Sequence, residues 1–225
     1  MTKKEKRERL AEISKRLSER YPDAKCALEF GGDPWRLLVM ARLSAQCTDA
    51  RVNEVSRELF EKFPTPEAMA EGDIADIEGA IRSCGLFRMK AANIKDASKM
   101  LVERYGGRVP DSMEELLLLP GVGRKIANLI IGDVFGGEAI VCDTHCIRIC
   151  GRLGMYPESQ KDPTKIEMIL RSLMDPRDGS DFCHRIVLFG REVCSARSPE
   201  CGVCPLSDIC SHNVSEHKKS GGNGK

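Results

Sequence analysis

Net charge is what this sequence has least of: 35 Lys and Arg against 34 Asp and Glu leave a formal +1 over 225 residues. Global electrostatics therefore offer no argument for a polyanion partner. Long apolar runs are missing too, so nothing spans a bilayer, and the opening Met-Thr-Lys-Lys-Glu-Lys-Arg-Glu-Arg contains no apolar stretch of the kind that directs secretion. The expectation is a cytosolic protein with no membrane partner. β-branched alternation is nearly absent. The run at 139–142 (Ala-Ile-Val-Cys) is the exception, and it is too short to build a sheet. There are no internal repeats, and the one biased segment is the polar tail 215–225, expected to be disordered.

What is present is ordinary for a globular chain of one or two domains, with 41% hydrophobic and 31% charged residues. Apolar spacing predicts helices over 3–20, 34–45, 49–63 and 66 onward, then 73–83 and 87–105, and beyond the middle of the chain over 144–153, 163–174 and 180–194. Asp33-Pro34, Thr65-Pro66 and Asp162-Pro163 are cap and first-turn pairs, and Gly106-Gly107 closes the longest helix. Charge is unevenly spread. Residues 1–20 hold eight bases to four acids and 82–108 hold seven to two, whereas 66–81 hold five acids and no base. Such basic faces fit a polyanion partner of modest affinity and solvated helix surfaces about equally. Lys90 and Lys95 lie on such a basic helix, and a solvated face is favoured for them over a track for a polyanion.

The stretch that organises the chain runs over 112–135. Ser112 with Glu115 is a capping box, Pro120-Gly121-Val122-Gly123 breaks the short helix it opens, and a second apolar-periodic helix comes next. The glycines permit positive φ and close approach of another backbone, and the new helix begins with unsatisfied amides and a partial positive charge. That is a phosphate site. Lys125 sits in its first turn, beside Arg124, where both the helix end and the like charge favour the neutral amine, which is a nucleophile. Eighteen residues further on, Val141-Cys142-Asp143-Thr144-His145 offers an acid at a helix cap.

Eleven cysteines without a secretion signal argue for thiolate ligation and buried thiols over a disulfide framework. Cys194, Cys201, Cys204 and Cys210, spaced C-x6-C-x2-C-x5-C among Pro199, Gly202 and Pro205, form a loop wrapped around a metal. Four thiolates suit tetrahedral zinc or a [4Fe–4S] cluster, and spacing alone does not choose. Cys142, Cys146 and Cys150 lie on one helix face and read as small hydrophobes. Cys26, Cys47, Cys84 and Cys183 have no ligand spacing.

Taken together and in order, the Leu-Pro-Gly-Val-Gly-Arg-Lys hairpin, the Val-Cys-Asp-Thr-His segment and the four-cysteine loop resemble the endonuclease III family of helix–hairpin–helix DNA glycosylases, from about residue 28 to residue 210. The resemblance implies an all-α, two-domain protein. A helical barrel domain, 27–137, would carry the hairpin, and 1–26 with 138–225 would form a second domain holding a [4Fe–4S] cluster in the 194–210 loop, with DNA between the two. It implies a base-excision glycosylase and abasic-site lyase in which Lys125 attacks C1′ of a flipped nucleotide with Asp143 as its carboxylate partner. Substrates would be oxidised pyrimidines in double-stranded DNA, handled by a monomer.

The same resemblance assigns Gln46 to the space vacated by the flipped nucleotide and Leu86 to a wedge in the opposite strand. Without it, Gln46 is a polar helix-end residue and Leu86 a loop hydrophobe. Gly121, Val122, Gly123 and Arg124 would hold DNA, His145 would approach the lesion strand or satisfy backbone groups at its cap, and Ser44 and Asp49 would line the base pocket, with Asp49 read on sequence as a helix cap. The competing reading is a non-catalytic DNA clamp braced by a metal. A clamp has no need of the Lys125 and Asp143 pair. A related glycosylase with another damaged base is a further alternative, whereas an electron carrier leaves the barrel domain unexplained.

Overall fold

The computed structural model describes residues 1–213, and the tail at 215–225 lies outside them. Eleven α-helices lie wholly within this span: α1 (Lys3–Arg20), α2 (Pro34–Leu43), α3 (Asp49–Lys62), α4 (Pro66–Glu71), α5 (Ile74–Ala80), α6 (Phe87–Tyr105), α7 (Met113–Leu116), α8 (Arg124–Asp133), α9 (Thr144–Arg152), α10 (Pro163–Arg171) and α11 (Gly179–Glu192). No strand occurs among the described residues. The protein is all-α, as the spacing predicts.

Short polar side chains start the helices because each accepts an amide that the first turn leaves without a partner. Thr2 and Glu5 close a reciprocal box at α1, Asp33 accepts from the Trp35 and Arg36 amides at α2, and Thr65, Asp73, Ser112, Asp143 and Asp162 cap α4, α5, α7, α9 and α10 in the same way. At α3 the expected cap is corrected. Thr48, one residue earlier than Asp49, is the cap, and its hydroxyl accepts from the Arg51 amide.

Two compact units result, one of residues 26–137 and one joining 1–25 to the chain from 138 onward. In the first, α2 is the central helix, with seven of its ten residues buried. Its Trp35 lies 5.4 Å, ring to ring, from Phe60 of α3 and donates from the indole to Ser98 Oγ of α6 at 3.0 Å. Such a buried indole needs that acceptor. In the terminal unit, Leu10, Ile13 and Leu17 of α1 are fully buried, and α1 and α9 both pack on α11. The 139–142 run is buried and forms no regular element, and its Ala139 amide bonds to Pro176 O at 3.0 Å. Its Ala139 carbonyl lies so close to Gly179 that any Cβ there would overlap it. Cys142, Cys146, Cys150 and Cys183 are all buried, and hydrogen bonding among these thiols together with burial pushes the Cys146 thiol well up.

Candidate functional site

The hairpin lies in the 26–137 unit between α7 and α8. Ser112 Oγ accepts the Glu115 amide at 3.3 Å and donates to its carboxylate at 3.0 Å, and after one turn the Val122 amide returns to Leu119 O at 3.1 Å. Gly121 adopts φ +77°, and a Cβ on it would come within 2.7 Å of Arg42 Nε and 2.8 Å of Asn93 Cβ. Only glycine meets both demands. Arg42 of α2 grips Asn93 of α6 through two bonds to Oδ1, at 3.0 and 2.7 Å, which gives the turn a fixed seat. Gly123 is the cap of α8 and brings no side-chain cap to it. Val122 is buried at 8% exposure, so it can offer a ligand its backbone only. Arg124 is half-buried, and Lys125 stands exposed on the first turn of α8.

Asp143 belongs to the terminal unit. Its Oδ1 accepts the Cys146 amide at 2.7 Å and so caps α9. The half-buried His145 sets Nδ1 3.2 Å from Arg148 Nη2 and lies against Gly190 of α11, where a Cβ would strike the ring. Arg148 continues to Cys194 O at 3.0 Å.

Gln46 and Leu86 share a property that sequence does not display: they are the non-glycine residues with positive φ among those described, at +56° and +48°. An L-residue there is strained by about 1–2 kcal/mol, and such strain gathers at functional sites. Both are exposed, Leu86 by 50%. Ser44 donates from Oγ to Met40 O at 2.9 Å, inside its own helix end, and Asp49 is half-buried at the start of α3. Sequence reasoning misses Lys90 here. Expected on a solvated face, it is fully buried, with Nζ bonded to Leu43 O and Cys84 O. Its spacing with Ile94, Ala97 and Leu101 on the buried stripe of α6 is the signal that could have found it. Lys95 likewise turns inward, donating to Gly72 O.

In the terminal unit Cys194, Cys201, Cys204 and Cys210 line one cavity with Arg152 and Val193. None is in a disulfide. Arg152 Nη1 donates to Cys194 Sγ at 3.3 Å and the Leu206 amide to Cys204 Sγ at 3.4 Å, the kind of bonds that stabilise thiolate ligands. Four thiolates in one loop, two of them accepting hydrogen bonds, are a donor set that fits a [4Fe–4S] cluster.

A family model described as HhH-GPD superfamily base excision DNA repair protein matches residues 39–176, and one described as the iron–sulfur binding domain of endonuclease III matches residues 194–210. Endonuclease III of Synechocystis sp. is 45% identical over 91% of this chain and 93% of its own. A solved non-covalent endonuclease III–DNA complex superposes with TM-score 0.88 at 38% identity, over 97% of this chain and 99% of that one. A trapped endonuclease III–DNA covalent intermediate, an estranged-adenine complex, gives the same TM-score and identity over 96% and 99%. The cofactor is a [4Fe–4S] cluster, and the matched stretch 194–210 runs from Cys194 to Cys210.

Proposed function

The chain belongs to the HhH-GPD superfamily of base excision DNA repair proteins, within its endonuclease III family, and on that premise we propose Lys125 as the nucleophile, and Asp143 as its carboxylate partner, of a DNA glycosylase and abasic-site lyase. The observation that carries the assignment is the exposed amine of Lys125 on the first turn of α8, directly after a glycine hairpin whose helix end no side chain caps. An anion drawn to that end lies beside a nucleophile.

The chemistry starts from the amine. The Lys125 nitrogen bonds to C1′ of a flipped nucleotide, the glycosidic bond breaks, and the base leaves with the bonding pair and gains a proton. Ring opening yields a Schiff base, which acidifies the C2′ proton. Its removal expels the 3′ phosphate by β-elimination and cuts the strand. The Asp143 carboxylate stabilises the cationic sugar and helps deprotonate Lys125, since an ordinary lysine is neutral only about one part in a thousand near neutral pH.

The remaining assignments concern the duplex. The amides of Gly121, Val122 and Gly123 hold a phosphate with Arg124 adding charge, Leu86 wedges the opposite strand, and Gln46 fills the vacated space. His145 approaches the lesion strand, and Ser44 and Asp49 line a pocket for oxidised pyrimidines. Residues 27–137 act as the barrel domain and the terminal segments as the cluster domain. The [4Fe–4S] group on Cys194, Cys201, Cys204 and Cys210 supplies a brace for a loop poor in large apolar side chains. The protein works on DNA in the cytosol as a monomer, with no membrane partner.

Borohydride trapping on a duplex containing thymine glycol tests the nucleophile. The wild type is expected to give a covalent adduct and Lys125→Ala none. Binding without an adduct on either thymine glycol or abasic duplexes would sink the assignment and favour a clamp, and an undiminished adduct from Lys125→Ala would move the nucleophile elsewhere.

A further inference from the structure

Lys90 is the one lysine with 0% exposure among the large buried side chains, and a buried ammonium survives only when its donors are well satisfied. Both of its Nζ contacts are backbone carbonyls at 2.7 Å. One is Leu43 O, at the last residue of α2, where a helix leaves carbonyls without partners. The other is Cys84 O, at the last residue of the 3-10 turn Arg82–Cys84. Burial lowers the Lys90 pKa, opposed by the neighbouring Cys84 and Cys47 thiols, and the nearby Arg42 acts in the same direction as burial. The two short bonds to carbonyl oxygens favour the charged form.

The position of each carbonyl in the chain gives its bond a meaning. Leu43 leads within three residues to Gln46, and Cys84 leads within two to Leu86, the two non-glycine residues held at positive φ. The Lys90 amide also bonds to Leu86 O at 3.1 Å, so one residue fixes the start of the Leu86 turn twice. With a single nitrogen on both, the two carbonyl oxygens lie no farther apart than twice one hydrogen bond. A simple helix cap would need only the first contact.

We propose that Lys90 is a positioning residue for base extrusion, its ammonium clamping the Gln46 loop to the Leu86 turn so that both enter the duplex as one unit. The clamp rests on the wedge roles proposed for Gln46 and Leu86. Strained backbone persists only where its surroundings over-determine it, and the ammonium ties down the chain just ahead of both strained residues. Lys90, with no exposed surface, has no face to offer DNA or reacting atoms. Its loss should therefore impair flipping from a duplex while sparing chemistry on a nucleotide that needs no flipping.

The experiment compares cluster-loaded wild type with Lys90→Met, Lys90→Gln, Leu86→Ala and Gln46→Ala. Single-turnover base release from a thymine glycol duplex reads extrusion plus chemistry, and borohydride trapping on a single-stranded abasic oligonucleotide reads chemistry alone. Lys90→Met, which keeps the apolar stem and removes every donor, should slow duplex excision at least tenfold and leave single-strand trapping within twofold. Lys90→Gln, whose amide can still serve one carbonyl, should fall between and stands in if the methionine variant does not fold. Equal loss in both assays, or loss in neither, overturns the proposal. If Leu86→Ala and Gln46→Ala leave duplex excision unchanged, the wedge assignment itself fails and takes the clamp with it. If they slow excision while the Lys90 variants do not, only the clamp fails.

Discussion

The Asp143 carboxylate accepts the Cys146 amide at 2.7 Å, so any substitution there acts on α9 before it acts on DNA. Asparagine caps a helix about as well as aspartate, whereas alanine forfeits roughly 0.5–2 kcal/mol. Asp143→Asn should therefore keep the melting temperature and lose about two to three orders of magnitude in base release, the scale of a lost electrostatic stabiliser. Asp143→Ala should lose both. Thermal denaturation beside single-turnover kinetics separates the roles, and an Asn variant with full activity would reduce Asp143 to a cap. Residues at this scale are unevenly legible. Lys125 and Asp143 stand out because a cation in a helix's first turn and an acid before an apolar stripe are each readable from local spacing. Lys90 does not, because a lysine is ordinarily a surface residue and nothing local announces that the ends of α2 and of the 3-10 turn meet at its tip. Leu86 and Gln46 carry a backbone strain that no side-chain pattern encodes.

Helix starts are readable for a physical reason: each needs an oxygen to accept its first amides, and Ser, Thr and Asp supply one. Ends are less so. Apolar spacing carries α10 to residue 174, but the helix stops at Arg171, where the Leu173 amide tightens onto Leu170 O with no glycine or proline to mark it. The element with most to say about the cofactor is α9, whose arginines reach the loop that the cysteines merely punctuate. Arg152, 9% exposed, donates to Ser195 O at 2.7 Å and Ala196 O at 2.9 Å while touching Cys194 Sγ. Arg148 holds Cys194 O. A buried bond to a charged donor contributes about 1.5–3 kcal/mol, and losing the fork strands two carbonyls. Arg152→Met should thus release iron more readily, seen as faster loss of the cluster's visible absorbance under a chelator. Arg152→Lys should not restore retention, because one ammonium cannot reproduce a planar fork. Retention at the wild-type rate in both would show that the cysteines hold the loop unaided.

At the scale of the whole molecule, near-neutral charge and ordinary composition say nothing of how the ends of the chain meet. The Leu10, Ile13, Leu17 stripe says only that something covers α1, and the structure supplies α11, with Arg16 bonding to Asp208 and Pro205 O in the cluster loop and Arg7 to Ser172 O. Those three apolar side chains alone bring about 5–9 kcal/mol of burial, taking roughly 1.5–3 each. That rivals the entire stability of a domain, about 5–15 kcal/mol. Removing residues 1–20 should therefore unfold the terminal unit and abolish cluster absorbance. The 26–137 unit keeps its own core, and the chain's single tryptophan, Trp35, lies within it at 3% exposure. Its emission should stay blue-shifted in the truncated protein. In the intact protein, thermal unfolding followed by Trp35 fluorescence and by cluster absorbance should give two separate transitions, as expected when each unit has its own core. Coincident transitions, with Trp35 exposed by the truncation, would mean instead that the hairpin unit depends on the terminal unit for its fold, and that loss of the cluster would silence Lys125 by unfolding it.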